Sequence, residues 1–430
     1  MTSSLVDRRT GIIRELVDAV VPQHFPPEFK LIHSYVSDSA RFSPWPSDSA
    51  GAGYCFDLGD RARPTAAAIG EAVERYCGNI VAKPIVRESA EAMIGASIDL
   101  SQLARFDTAQ YARPQFPFVE PTDDLEMDWT RGADLITGSD IWVPAELVWG
   151  SYPHFVARTG PAISPVAQAG LAAGPSVKFA IDNALREIVE RDAMTLSWTG
   201  RRGVRVVTGM PEALLRLGNH DSLSTRWISF ESDFEIPVLG ALVCDRLTGY
   251  STMGTACHED AQTAAFKSLG EALQLQLLSA DYDNPQSGIG RAAASPTSPL
   301  APWRADRSYA GAYRSDFADV MDYGCHLQLH LDPEIQARFE SELVGAVVGE
   351  VGLDSLTSAA GTESALTAAG FRPAWVDLTT TDVLHAGLHV VRVVVPGCLT
   401  NAAAGLPFLG SPRLVDSLAG RSARTIPLPH

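Results

Sequence analysis

Residues 170–198 read GLAAGPSVKFAIDNALREIVERDAMTLSW, a Gly/Pro-bounded turn that opens into a long amphipathic helix. Pro175 fits the first turn of a helix, and Ser176 can cap it. Val177, Ile181, Ala184, Leu185 and Ile188 recur at helical spacing and make one apolar face. Asn183, Glu187, Glu190 and Met194 line the opposite side, with Arg191 just off the stripe. Two carboxylates one turn apart repel each other unless a cation lies between them. That spacing suits a hard divalent ion.

The same layout occurs earlier, in PTAAAIGEAVERYCGNI over residues 64–80. Glu71, Glu74 and Arg75 fall on one side of this helix; Ile69, Ala72, Val73, Tyr76 and Ile80 fall on the other. A weaker echo spans residues 261–280, where Glu271 and Gln274 share the i, i+3 offset and Ala265, Leu269, Ala272, Leu273 and Leu277 supply a buried side. A lone Glu-x-x-Glu-Arg helix is ordinarily a solvated face with an i, i+4 ion pair. Two matching copies and a third relative point instead to acidic stripes turned into one shared cavity, a place for Mg2+ and phosphate.

Composition narrows the classes. A formal net charge of −17 argues against a nucleic-acid surface but not against ATP, because Mg2+ lets carboxylates hold phosphates. Cys55, Cys77, Cys244, Cys257, Cys325 and Cys398 are scattered without a C-x-x-C pair, as free thiols of a reducing cytosol would be. No signal peptide or membrane-length apolar run is visible, so a soluble, cytoplasmic protein is expected. No GxxxxGK[ST], G-x-S-x-G, H-E-x-x-H or G-x-G-x-x-G sequence is present. The His385/His389 pair reads as structural.

Along the chain, residues 1–8 read as a loose tail and 11–21 as an apolar-periodic segment. Residues 30–37 read as a strand and 42–60 as a loop. Residues 82–127 read as loops around short elements, and 129–149 as two strands around a turn at Thr137-Gly138-Ser139-Asp140. The charge-poor 160–174 stretch could bring backbone N–H groups close to a ligand. Another strand pair is expected over 227–250, with Pro237 near an edge. Residues 282–302 read as a flexible loop that could serve as a lid. Helices are expected over 340–351 and 364–370, then strands over 373–383 and 388–397. The fold class is mixed α/β in a single domain over 1–430.

The chain resembles the YcaO superfamily, within it the members that modify ribosomally made peptides. The resemblance rests on RTGIIREL (9–16), GEAVERY (70–76), GLAAG (170–174) followed by NALREIVERDA (183–193), the Glu271/Gln274 helix, VVRVVVPGCLTN (390–401) and GSPRLVD (410–416). It implies acidic helices around a central nucleotide cavity that takes ATP and Mg2+. Glu71, Glu74, Glu187 and Glu190 would be ion and phosphate ligands, joined by Asn183 and Arg75, with Arg191 and Gln274 as further contacts. The implied reaction is cyclodehydration: a Cys, Ser or Thr side chain of a precursor peptide attacks the preceding carbonyl. The amide oxygen is phosphorylated by ATP and leaves as phosphate, giving thiazoline or oxazoline.

Three departures stand against the family pattern. Thr65 and Ala67 occupy positions where many relatives carry Arg and Ser, and Gln168-Ala169-Gly170 stands for Ser-Asn-Gly. The sequence closes on Ile426-Pro427-Leu428-Pro429-His430, with two prolines of the Pro-x-Pro-x-Pro run seen at the end of azoline formers. The resemblance docks this 424–430 tail near the cavity and makes Pro429 and His430 the catalytic candidates. It also implies a leader-binding, ubiquitin-activating-like partner protein; a homodimer is the default assembly. The same scaffold could instead form thioamides or amidines, or serve as a nucleotide-binding scaffold subunit.

Overall fold

Residues 51–55, GAGYC, fell within the expected loop, yet they alternate buried and half-buried and form a strand. The structure is a computed structural model that describes residues 4–37, 51–150, 152, 160–165 and 169–430. Residues 42–50 of the expected loop, and Gln168, lie outside the described residues. The chain divides into two compact units. The first comprises Met1–Val20, Lys30–Ile188 and Gly361–Thr400; the second comprises Val21–Phe29, Val189–Ala360 and Asn401–His430. The chain passes from one unit to the other at several points, which is why no linker is visible in the sequence.

In the first unit, β1 (Ile13–Asp18), β2 (Lys30–Val36) and β3 (Gly51–Cys55) make an antiparallel sheet in that order. Helix α1 (Ala62–Gly78) lies directly on it. A Cβ on Gly53 would sit 2.0 Å from the Pro64 carbonyl oxygen and 2.6 Å from the Ala68 nitrogen, so only glycine admits this approach. Ser34 Oγ donates to the Ala68 carbonyl at 2.7 Å, tying β2 to the same helix. Of the expected loose tail, residues 1–3 lie outside the described residues; Leu5 is 3% exposed within the core, and its carbonyl accepts the Ile13 N–H.

A second sheet of this unit holds β4 (Val86–Glu88), β5 (Met127–Asp134), β6 (Asp140–Pro144), β7 (Leu171–Gly174), β13 (Ala374–Asp377) and β14 (His389–Val394). Its order is β4-β5-β13-β14-β7, with β6 pairing β5. The turn expected between β5 and β6 forms because Asp134 Oδ1 accepts the Ile136 and Thr137 N–H groups, and Gly138 takes φ +70°. The strand expected over 373–383 is shorter. It stops at Asp377, and α10 (Thr381–His385) follows. Helices α2 (Thr108–Tyr111) and α9 (Thr362–Ala368) complete the unit.

The second unit is built on β8 (Val204–Thr208), β9 (Leu223–Phe230), β10 (Val238–Asp245), β11 (Ser251–Cys257) and β12 (Val347–Gly352), in the order β11-β10-β9-β8-β12. Pro237 does not mark an edge, as expected from the sequence; it stands just before β10, whose first residue Val238 pairs with both Phe230 and Cys257. A proline there costs no ladder bond because the strand has not yet begun. Helix α5 (Ala261–Tyr282) lies on β11, where a Cβ on Gly254 would meet the Ser268 carbonyl oxygen at 2.2 Å.

The other helices of this unit are α4 (Glu212–Gly218), α6 (Gly288–Ala293), α7 (Gly324–Leu329), α8 (Pro333–Ala346) and α11 (Pro412–Leu418). The helix expected over 340–351 starts earlier and ends earlier. Asp332 caps the Glu334 N–H, Pro333 opens the first turn, and the β-branched Val347 starts β12 beside β8. The 282–302 segment contains α6, capped by Ser287 on the Gly290 N–H. Helix α3 (Val177–Trp198) belongs to the first unit through Ile188 and to the second from Val189. Among the described residues no disulfide is present, and no helix is long and apolar enough to cross a membrane.

Candidate functional site

In the first unit the glutamates of EAVER and EIVER act on one another. Glu71 Oε2 accepts the Ala52 N–H of β3 at 2.5 Å, and its other oxygen pairs with the exposed Arg75 at 2.5 Å. Glu187 Oε2 accepts the Gly170 N–H at 2.9 Å. Gly170 has φ +90° and lies so close to β14 that a Cβ would meet the Val393 carbonyl oxygen at 2.3 Å. The charge-poor 160–174 stretch thus delivers a backbone N–H, and it delivers it to a carboxylate. Burial pushes the Glu74 carboxyl well above its usual range, and repulsion from Glu187 and Glu71 pushes it further.

The counter-charge comes from a residue not singled out in the sequence. Arg392 of β14 is 2% exposed and donates to the carbonyls of Val148 at 3.1 Å and Ala169 at 2.7 Å. Burial lowers its pKa to about 10, with Glu187 and Glu74 opposing the shift, so it stays charged at neutral pH. A lone arginine among five valines was the available signal, since a charge in a buried strand needs a partner. Asn183 Oδ1 accepts from Arg186 at 3.1 Å.

In the second unit the chain's last residue is the centre of a cluster. Glu190 is 8% exposed; its oxygens accept from Thr255 Oγ1 at 2.6 Å and from the Cys257 N–H at 3.1 Å. Glu271 Oε2 accepts the Thr255 N–H at 2.6 Å, and its Oε1 lies 3.5 Å from His430 Nε2. Arg191 Nη1 reaches His430 Nε2 at 2.8 Å, and Tyr323 Oη lies 3.0 Å from His430 Nδ1. Glu190, Glu271 and His430 each offer a ligand atom within 4.8 Å of the others. Burial would raise the Glu271 carboxyl, but its interactions with His430, the Arg191 charge and the Thr255 N–H outweigh it and hold it low. Gln274 lies half-buried one turn along α5.

The tail, residues 424–430, is seated in the second unit. Ile426, Leu428 and His430 are all buried, and Met253 N donates to the Pro429 carbonyl at 2.6 Å. Arg424 stacks over Trp198 at 4.2 Å and pairs with Glu342 at 3.0 Å. Thr255 and Tyr323 escape sequence reading because neither sits in a charged or periodic pattern.

Each unit repeats one device: a glycine-bearing strand lies under a helix, and its N–H fixes one oxygen of that helix's glutamate. Carboxylates oriented in this way leave oxygens for a hard cation, which would relieve the repulsion of Glu187 and Glu71 on the buried Glu74 carboxyl. The donor set therefore fits Mg2+ and phosphates. A family model described as a YcaO cyclodehydratase, ATP- and Mg2+-binding, matches residues 60–399. The chain belongs to the YcaO family.

Membership makes ATP and Mg2+ the cofactors of this YcaO chain. The fold agrees. A heterocyclase in complex with substrate and cofactor aligns with TM-score 0.66 at 18% identity, over 99% of this chain and 56% of that one. YcaO from Methanopyrus kandleri, bound with AMPPCP and Mg2+, aligns with TM-score 0.58 at 19% identity, over 90% and 86%. A chain of the E. coli microcin synthetase McbBCD complex aligns with TM-score 0.56 at 13% identity, over 89% and 87%. A curated relative, an uncharacterized protein in the tfuA 3′ region of Rhizobium leguminosarum bv. trifolii, is 26% identical over 244 residues, 51% of this chain and 53% of its own length. The chain thus spans about half the length of that relative and of the heterocyclase.

Proposed function

We propose that this YcaO chain converts Cys, Ser or Thr residues of a ribosomally made precursor peptide into thiazolines or oxazolines in the cytoplasm. When bound, Mg2+–ATP supplies the phosphoryl group that turns an amide oxygen into a leaving group. The chain's own residues then have positioning and charge neutralisation to do. Glu71, Glu74 and Glu187 would hold cation and phosphate, with Arg75, Asn183 and Arg392 balancing charge. In the second unit Glu190, with Arg191 and Gln274, would be the cation and phosphate contacts. Glu271 joins Glu190 there, a residue the sequence marked only by its spacing from Gln274. Pro429 places His430, whose Nε2 would take the proton from the attacking side chain.

The observation that carries this reading is the His430 imidazole itself. It is buried against two carboxylates, a guanidinium and a phenol at the end of a seated tail. A scaffold subunit has no need of such a cluster. The McbBCD complex motivates a partner protein that binds the leader of the precursor.

The test uses Glu187→Gln and Glu190→Gln. Both should weaken Mg2+–AMPPCP binding more than about tenfold by calorimetry and abolish ATP-dependent loss of water from the precursor peptide in intact mass. Unchanged turnover in both variants would refute the ligand assignment. Replacement of oxygen by sulfur in the product would assign thioamide formation instead.

A further inference from the structure

The tail approaches His430 through three main-chain carbonyls. Trp198 Nε1 donates to Ile426 at 2.8 Å, His330 Nε2 to Pro427 at 2.9 Å, and Met253 N to Pro429 at 2.6 Å. Pro427 and Pro429 carry no N–H, so their carbonyls are the only polar handles by which the protein can hold them. Two of the donors have other reasons to be where they are: Trp198 ends α3 and stacks under Arg424, and Met253 lies within β11.

His330 has no such second reason. It follows α7, is 1% exposed, and meets the Phe339 ring edge-on at 5.1 Å. A carbonyl only accepts, so Nε2 bears the ring's proton. Its Nδ1 has no hydrogen-bond partner among the described residues. A buried imidazole with one unmet nitrogen is costly, and its single side-chain hydrogen bond falls on the residue three before His430. The ligand set proposed above does not use it.

We propose that His330 is a positioning residue for the tail: its Nε2–H fixes the Pro427 carbonyl and so sets how far the chain advances before His430 meets Arg191 and Tyr323. Without that bond, the Trp198 and Met253 contacts bracket a span free to shift along its own axis. A shift of about 1 Å is enough to cost a positioned group much of its effect. This inference rests on the catalytic role given to His430.

The full chain is compared with His330→Leu, which removes the donor, and His330→Gln, which keeps an Nε2–H at the same reach. Hydrogen exchange should speed up in the 424–430 peptide and at the Met253 amide of His330→Leu, with β9 and β10 unchanged. Phosphate release from Mg2+–ATP should lose about tenfold or more in kcat while KM for ATP stays put, and His330→Gln should restore both readouts. Wild-type exchange and kcat in His330→Leu would overturn the proposal. If His330→Leu unfolds, His330→Gln decides: wild-type behaviour supports the donor role, and loss of tail protection in a folded His330→Gln refutes it. His430→Ala separates the two levels, because full turnover in that variant removes the role of His430 while the exchange data still judge the anchor.

Discussion

Arg191 Nη1 lies 2.8 Å from His430 Nε2, and a guanidinium only donates, so that ring nitrogen is the acceptor. The imidazole proton then sits on Nδ1, facing Tyr323 Oη at 3.0 Å. Glu271 Oε1 lies 3.5 Å from the same Nε2. His430 thus meets a guanidinium and a carboxylate at Nε2 and a phenol at Nδ1.

Removing Tyr323's hydroxyl should therefore disturb chemistry and spare cofactor binding. Tyr323→Phe leaves Nδ1–H without its acceptor. Phosphate release from Mg2+–ATP should fall about tenfold, with Mg2+–AMPPCP affinity unchanged by calorimetry. Equal loss in binding and turnover would place Tyr323 in the nucleotide contacts instead.

The helix-on-strand approach is the most sensitive packing feature of each unit. Gly254→Ala would set a methyl 2.2 Å from the Ser268 carbonyl and 2.3 Å from the Ala272 nitrogen, both backbone atoms that cannot swing aside. Helix α5 must then lift off β11 and loosen the Thr255–Glu271 bond. The expected cost is about 3 kcal/mol, seen in urea unfolding. Gly345→Ala, at an α8 position with nothing within 4 Å of the added methyl, is the control and should be neutral or stabilising.

Stability should fall in mild acid. Burial pushes His326 down to about 3, with His330 and His430 adding to the effect, and pushes His330 down to about 4. Both start from 6.5 when unfolded, so the unfolded chain binds more protons between those values. The stabilisation is complete above pH 6.5 and is lost as pH falls toward 4. Each histidine contributes on the order of 2 kcal/mol of this loss by pH 5. Urea midpoints at pH 7 and pH 5 measure it, and His330→Gln should flatten the difference by about half. Identical midpoints for the wild type at both pH values would contradict the burial of these rings as neutral groups.

Arg392→Leu tests the internal cation. It strips the Val148 and Ala169 carbonyls of a donor and leaves Glu74 and Glu187 facing each other without it. A cost of about 3–5 kcal/mol is expected, as for breaking a buried pair from one side. Mg2+ should raise Tm more in this variant than in the wild type, because the ion replaces part of the missing charge. A variant as stable as the wild type, with the same Mg2+ response, would rule the role out.

The acidic helices were legible because their information is local. Three- and four-residue spacing puts Glu71 with Glu74 and Glu187 with Glu190 on one face whatever the fold around them, and it fixes which residues face the core. Ile69, Ala72, Val73, Ala184, Leu185, Leu269 and Leu273 are buried as the periodicity required. The strands that were misjudged, β3 inside a presumed loop and β12 inside a presumed helix, depend on partners far along the chain, and short windows do not contain those partners. Gly53, inside the presumed loop, and Gly254 are glycines because a helix backbone lies against them.

By itself, then, the sequence determined the helices that carry glutamates and the family pattern. Tertiary structure alone decided that Ala52, Gly170, Thr255 and Cys257 supply the N–H groups that aim those carboxylates. It alone decided that Arg392 is the buried counter-charge of Glu74 and Glu187, and that the tail is seated with His430 against Arg191, Glu271 and Tyr323. Periodicity is a property of a few consecutive residues, whereas a hydrogen bond between positions 191 and 430 exists only once the intervening chain has folded.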